Sequence, residues 1–173
     1  MPYRVTFELD AFNGERDAEE SHRILGVMLD ALIAIDSMYL AERVGRDHGR
    51  NPAVPLLYTS GVRYEPEPTG AEFWRDIPTV LKYVREGSGS DCEDLVCWQI
   101  AEKRVRFGIA ARPLIIPQLQ PSGRFLYHIQ TWSPDLPGTG IDDPSARLGM
   151  RVADVNPPGR FNNMLRAAWP LVA

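Results

Sequence analysis

The longest periodic segment of the sequence constrains the fold most strongly. Apolar residues recur at helical spacing from Asp17 to about Asp47, and Asp17 with Glu20 resembles a capping box that would begin the helix. The apolar positions are Ile24, Leu25, Met28, Ala31, Leu32, Ile35, Met38 and Tyr39. A helix with so broad an apolar face has to bury it against other elements, so we interpret the stripe as core packing rather than as a binding surface.

The chain is long enough to form one domain with its own core. Of its 173 residues, 44% are hydrophobic and 24% are charged, and this composition excludes wholesale disorder. A domain of this size can bury enough surface to be stable without a disulfide or a metal. Two cysteines are too few for a disulfide framework. We see no apolar run near the ~20 residues of a membrane span and no apolar signal core at the N-terminus, so we expect no span and no Sec-type export.

The charges are distributed unevenly. The net charge of −4 argues against general nucleic-acid binding. Residues 1–100 carry 18 acidic and 10 basic side chains, whereas residues 101–173 carry 5 acidic and 9 basic ones. Genomic base composition and a surface made for protein contacts both explain the excess of arginine over lysine, and the sequence does not decide between them.

The remaining elements follow a simple order. We predict a half-buried strand from Tyr3 to Asp10 and then an extended proline-rich segment on the outside of the fold from Asn51 to Pro68. Two helices follow: a short one from Ala71 to Glu86 that Pro78 kinks or restarts, and one from Asp91 to Phe107 ending at Gly108. The last predicted elements are strands from Ala110 to Gln118 and from Arg124 to Ser133, and an amphipathic segment from Phe161 to Trp169. Helices come first and a small antiparallel sheet follows, so the predicted class is α+β.

Cys92 is the residue with the clearest potential for chemistry. It follows the flexible segment Gly87–Ser90 and lies in the first turn of a predicted helix, where unpaired backbone N–H groups and the helix dipole favour a thiolate and can stabilise an oxyanion. The carboxylates of Asp91, Glu93 and Asp94 act in the opposite direction, because nearby negative charge raises the pKa of a thiol. A reactive Cys92 therefore needs a cationic partner.

His128 is the candidate partner for Cys92. It lies on a predicted strand and shares a face with Gln130, and an imidazole facing a helix N-terminus can act as general base and then as general acid. Asp143 comes 15 residues later, a separation that suits the next antiparallel strand, where its carboxylate could orient the ring. Asp142 is the alternative, since only one of the two can point at His128.

Four segments together resemble a known superfamily. They are a glycine-rich turn before Asp91-Cys92-Glu93-Asp94, a helix ending near Gly108-Ile109-Ala110-Ala111-Arg112, the pair Tyr127-His128, and the segment Asp143-Pro144-Ser145. This set, within roughly Ser88 to Met150, is similar to the transglutaminase-like superfamily, which shares the papain-like cysteine-protease architecture. The resemblance implies that Cys92 is the nucleophile, His128 the base and Asp143 the orienting carboxylate. It is strongest to uncharacterised members encoded by bacteriophages.

The chain departs from that pattern at two points. Ser90 stands where many members have glycine, and no glutamine precedes Gln99, so a papain-type side-chain donor to the oxyanion is absent. The indole N–H of Trp74 and a tyrosine hydroxyl are the candidates for that donor.

The sequence thus leads to two functional hypotheses. The first is a single transglutaminase-like domain over residues 1–173, with a core at about 71–150 and an N-terminal strand–helix extension at 1–60. It would hydrolyse or transfer an amide or isopeptide bond of a protein or peptide, such as a virion protein or a peptidoglycan peptide. The second is a non-catalytic structural or assembly protein of a phage particle that retains the fold.

Both hypotheses share several expectations about ligands and location. We expect no cofactor and no nucleic-acid partner, and phage structural proteins are candidate partners. We also expect no metal site, because the spacing of Cys92 and Cys97 is not that of a zinc knuckle. Cys97 itself is interpreted as core packing. The expected location is cytoplasmic or virion-associated.

Overall fold

Helices and one small antiparallel sheet make up the described part of the chain. The computed structural model describes residues 18–47, 53–67, 72–119 and 125–151. The elements are α1 (Ala18–Asp47), a 3-10 helix (Leu57–Thr59), α2 (Ile77–Arg85), α3 (Cys92–Phe107), β1 (Arg112–Leu119), β2 (Phe125–Trp132), β3 (Ile141–Asp142) and α4 (Pro144–Arg147). The α+β class is confirmed. The predicted strand at Tyr3–Asp10, the cap at Asp17 and the segment Phe161–Trp169 lie outside the described residues.

α1 confirms the long helix and part of the predicted stripe, since Leu25 and Leu32 are buried, but the centre of the buried face lies at other positions. The buried positions are Leu25, Leu29, Leu32, Ile33, Asp36 and Leu40. Met38 is 54% exposed, because α1 packs on α3 through a narrower face than its composition suggests. Asp36 is fully buried and accepts a hydrogen bond of 2.8 Å from the backbone N–H of Ile77, so a polar contact attaches α1 to the start of α2.

Part of α1 is also long and apolar enough, by length and composition, to cross a membrane. This segment is Glu19–Arg43. A core helix of a soluble protein passes the same test, and here Leu29, Ile33 and Asp36 are buried inside the protein. The expected absence of a membrane span stays a prediction.

The proline-rich segment is not confined to the outside of the fold, which corrects the expectation. Val54, Leu57 and Val62 are buried in a core that they share with α2 and α3. Prolines prevent this segment from forming a long strand, but they do not prevent the apolar residues between them from being buried.

α2 is shorter than predicted and begins at Ile77 rather than at Ala71. Asp76 is its N-cap, and the Asp76 side chain accepts a hydrogen bond of 3.1 Å from the backbone N–H of Thr79. Pro78 lies in the first turn, where the missing N–H costs nothing and the fixed φ suits a helix. Pro78 therefore starts α2 and does not kink it.

α3 is the central helix and confirms its predicted bounds. It begins after Asp91 and ends at Gly108, whose φ of 66° is the left-handed conformation that glycine tolerates best. Its residues from Glu93 to Lys103 are all buried, and Trp98 is fully enclosed. Because α3 contacts α1, β2 and α4, its N-terminus is held against the rest of the fold.

The three strands form an antiparallel sheet in the order β1-β2-β3. β1 and β2 confirm the two predicted strands. In the register, Ile116 lies opposite His128, and Thr131 lies opposite Asp142. Asp143 therefore follows β3 immediately, next to the strand that carries His128.

Candidate active site

Cys92 occupies the first residue of α3, as predicted, and it is partly buried. The Sγ atom donates a hydrogen bond of 3.4 Å to Oε2 of Glu93. Burial, and after it the negative charges of Glu93 and Asp91, raise the pKa of the Cys92 thiol well above its ordinary value. A hydrogen bond with the backbone of Ile129 acts in the opposite direction. Burial and the neighbouring carboxylates therefore both favour the protonated form of this thiol.

His128 and Asp143 form the predicted pair. His128 is 6% exposed, and its Nε2 lies 2.8 Å from Oδ2 of Asp143. Gln130 donates to the same oxygen at 3.1 Å, and the backbone N–H of Ala146 donates to Oδ1 at 3.0 Å. Burial alone would raise the pKa of Asp143, but these hydrogen bonds lower it below its ordinary value.

Asp142 has a different set of partners. Its Oδ2 accepts hydrogen bonds from the hydroxyl of Tyr58 at 2.7 Å, from Nε2 of Gln99 at 2.6 Å and from Nη1 of Arg147 at 3.0 Å. Adjacent side chains of an extended segment point in opposite directions, so only Asp143 reaches His128.

Two of the three predicted site residues, His128 and Asp143, are in direct contact, whereas no hydrogen bond within the described residues joins the Cys92 thiol to the His128 ring. Side chains alternate on this strand, so His128 shares a face with Gln130, and the next residue, Ile129, turns its side chain into the core cluster that also contacts Cys92. The hydrogen bonds of the thiol go to Glu93 and to the backbone of Ile129. The structure therefore joins His128 to Asp143 directly and places Cys92 against the same strand.

Two further residues named from the sequence also have defined surroundings. Cys97 is fully buried, with Sγ 3.7 Å from the carbonyl oxygen of Leu29, which confirms its packing role. Trp74 packs on the same core cluster as Cys92, and its buried indole N–H has no hydrogen-bond partner within the described part of the chain.

A carboxylate cluster surrounds the start of α3, and sequence reasoning did not find it. Arg75 lies 2.7 Å from Oε1 of Glu67, and its Nη1 lies 3.2 Å from Oδ2 of Asp94. The backbone N–H of Arg75 also donates to Oδ1 of Asp94 at 2.7 Å. Glu72 lies near Glu67. Burial, and to a smaller extent the negative charge of Glu67, raise the pKa of Glu72. Asp91, Glu93 and Asp94 were visible as neighbours in the sequence, but their contacts with residues about twenty positions earlier depend on the tertiary fold.

Comparison with known proteins identified no relative: no family model, no curated protein and no solved structure matches this chain.

Proposed function

We propose that this protein is a thiol enzyme that hydrolyses or transfers an amide or isopeptide bond, with Cys92 as nucleophile, His128 as base and Asp143 as the carboxylate that orients His128. The observation that carries the proposal is the 2.8 Å hydrogen bond between Nε2 of His128 and Oδ2 of Asp143, on the strand against which Cys92 lies. Nucleophilic catalysis by cysteine requires a histidine that a carboxylate orients and that can reach the thiol; the His128–Asp143 pair supplies the first part, and the packing of Cys92 against β2 supports the second.

The finer fold assignment belongs to the same proposal. A cysteine at the N-terminus of a helix, a histidine on a strand packed against that helix and an aspartate after the next strand occur here in the order Cys, His, Asp. This order supports a papain-like, transglutaminase-like core at about residues 71–150, with α1 as part of an N-terminal extension.

The proposed reaction has two stages. Because Nε2 of His128 is bonded to Asp143, Nδ1 is the ring nitrogen that takes the proton of Cys92 as Sγ attacks the substrate carbonyl. The C–N bond then breaks, the leaving amine takes that proton from His128, and a thioester remains on Cys92. Water or a second amine attacks the thioester and gives its proton to His128. The C–S bond then breaks, and the Cys92 thiolate takes that proton back from His128, which restores both groups.

Stabilisation of the oxyanion would come from groups around Cys92. The backbone N–H groups of the first turn of α3 are not used by the helix itself. The indole N–H of Trp74, which is buried without a partner in the described part of the chain, is the candidate side-chain donor.

The raised pKa of the Cys92 thiol makes His128 indispensable to this mechanism. A thiol that is protonated at neutral pH reacts only if a base removes its proton during the attack. Reactivity at Cys92 should therefore depend on His128, and this dependence provides the test.

The experiment measures alkylation of Cys92 by a chloroacetamide peptide mimic at neutral pH, with the modified residue identified by mass spectrometry. A Cys97→Ser background leaves Cys92 as the single thiol. We expect His128→Ala to slow labelling at least about tenfold, whereas His22→Ala, which removes a histidine on α1, should leave the rate unchanged. Equal rates in His128→Ala and its parent, with both proteins folded by circular dichroism, would refute the catalytic assignment.

The alternative is a non-catalytic structural or assembly role in a phage particle. A partly buried thiol with a raised pKa, next to the carboxylates of Asp91 and Glu93, is the observation that favours a non-catalytic role. Failure of the labelling experiment, combined with recovery of the chain at fixed stoichiometry in assembled particles, would support this role. The virion or peptidoglycan substrates and the cytoplasmic or virion-associated location belong to these proposals.

A further inference from the structure

Among the described residues, the carboxylate cluster at the start of α3 has more negative charge than the basic groups bonded to it balance. Its members are Glu67, Glu72, Asp91, Glu93 and Asp94, and Arg75 is the basic residue bonded to it in the described part of the chain. The helix N-terminus adds only about half a positive charge. Five carboxyl groups around one guanidinium therefore need bound protons or a bound cation.

Three of these carboxylates converge on one point. Glu67, Glu72 and Glu93 each offer an oxygen, and these oxygens all lie within 4.8 Å of one another. Because Ca²⁺ binds oxygens at about 2.3–2.6 Å, ligands on opposite sides of one ion are separated by up to about 5 Å. The three oxygens are therefore close enough together to bind a single ion.

Two buried oxygens next to this point lack a donor. Glu93 is 6% exposed and Asp91 is 7% exposed, yet neither Oε1 of Glu93 nor Oδ1 of Asp91 receives a hydrogen bond within the described residues. Unsatisfied buried oxygens of this kind are uncommon unless a proton, a water molecule or an ion fills the role of donor.

We propose that Glu67, Glu72 and Glu93 bind a divalent cation of the calcium class, with Asp91 as the adjacent carboxylate. All three ligands are carboxylate oxygens, which suit hard cations, and no imidazole belongs to the group. Glu93 and Glu67 supply the enclosed side of the site, and the exposed Glu72 leaves a side open for entry of the ion and for water ligands. This site goes beyond the proposed catalytic function and departs from the expectation that the chain binds no metal.

Glu72 is the best position for a test, because it is exposed and its substitution should not disturb folding. We would treat the intact chain with a chelator, remove the chelator, and titrate it with CaCl₂ by calorimetry while following thermal unfolding in parallel. We expect one saturable site with a Kd of about 10⁻⁶ to 10⁻³ M and a rise in Tm. Glu72→Gln should weaken binding at least about tenfold, because it removes a charged ligand.

Glu86→Gln is the matched control, since Glu86 is an exposed glutamate at the end of α2 paired with Lys82. This variant should bind Ca²⁺ as the parent does. Two results would overturn the proposal: no saturable heat and no change in Tm up to about 10 mM CaCl₂, or equal affinity of Glu72→Gln and its parent. Bound protons would then balance the charge of the carboxylates. The titration uses neither substrate nor thiol reagent, so its outcome is independent of whether Cys92 is catalytic.

Discussion

Asp142 and Asp143 are chemically identical neighbours whose carboxylates point to different parts of the protein. Asp143 accepts hydrogen bonds from His128, Gln130 and the backbone of Ala146, and Asp142 accepts from a network centred on Tyr58. Each carboxylate should contribute to stability, but only that of Asp143 can act on the imidazole. The two residues therefore form a matched pair for separating a positioning role from a structural one.

We expect Asp143→Ala and Asp142→Ala each to reduce the free energy of unfolding by about 1–3 kcal/mol at pH 7, because buried donors lose their acceptor. Only Asp143→Ala should slow alkylation of Cys92, since only Asp143 orients His128. Urea unfolding and labelling kinetics measure the two effects. Slower labelling in Asp142→Ala alone would reverse the assignment.

The lowered pKa of Asp143 gives this stability difference a defined pH dependence. A carboxyl whose pKa is lower in the folded state stabilises the protein at pH values above its unfolded pKa of about 3.9, and the contribution is lost as the pH falls through the folded value. The stability gap between Asp143→Ala and the parent should therefore narrow below pH ~4. A gap that stays constant down to pH ~2 would contradict the hydrogen-bonded, ionised state of Asp143.

At the scale of elements, backbone hydrogen bonds between the segment Arg63–Glu65 and Ser90 fix the position at which α3 begins. The backbone N–H of Ser90 donates to the carbonyl of Arg63 at 3.1 Å, and the N–H of Glu65 donates to the carbonyl of Ser90 at 2.9 Å. A Cβ atom on Gly89 would lie 2.5 Å from the oxygen of Arg63 and 2.6 Å from Cβ of Glu65. Glycine is needed at position 89 because the two segments approach so closely, and this approach sets where Cys92 begins α3.

We expect Gly89→Ala to lower the free energy of unfolding by about 1–3 kcal/mol, because the added methyl group forces the two backbone segments apart. Gly26→Ala is the control. Position 26 lies within α1, and a methyl group added there would meet no atom of another described element within 4 Å, so alanine should stabilise the helix by about 0.5–1 kcal/mol. Denaturant unfolding of both variants measures the contrast, and equal effects would argue against the close approach at Gly89.

At the scale of the whole molecule, Arg75 connects segments that are distant in the sequence. Its guanidinium bonds Glu67 of the proline-rich segment and the fully buried Asp94 of α3, and it lies over the ring of Tyr83 in α2. Burial tends to lower the pKa of Arg75, but the charges of Asp94 and Glu67 raise it above its ordinary value. The arginine therefore stays charged and holds these three parts of the fold together.

We expect Arg75→Met to cost about 3–5 kcal/mol of unfolding free energy at pH 7, because it leaves buried carboxylates without their cation. The loss should be smaller at low pH, where those carboxylates become protonated. Lys82→Met, which breaks an exposed pair with Glu86, should cost less than about 1 kcal/mol. Thermal and urea unfolding test both, and a loss in Arg75→Met no greater than in Lys82→Met would contradict this role.

Local patterns in the sequence determined the elements. The helical spacing of apolar residues predicted α1, Gly108 marked the end of α3, and the two β-like runs predicted β1 and β2. The same local reasoning singled out Cys92, His128 and Asp143, because a cysteine at a helix start is recognisable without knowledge of the fold. Pro78 was ambiguous, since a proline can break or begin a helix and its neighbours decide which.

The tertiary structure alone decided which groups face one another. Packing selected the buried stripe of α1, buried the apolar residues of the proline-rich segment, and directed Asp143 rather than Asp142 to His128. It also gathered Glu67, Glu72 and Glu93 into one cluster and placed the thiol of Cys92 next to the carboxylates of Glu93 and Asp91. These outcomes depend on contacts between residues far apart in the chain, and burial and electrostatics act through distances in space that residue spacing does not specify.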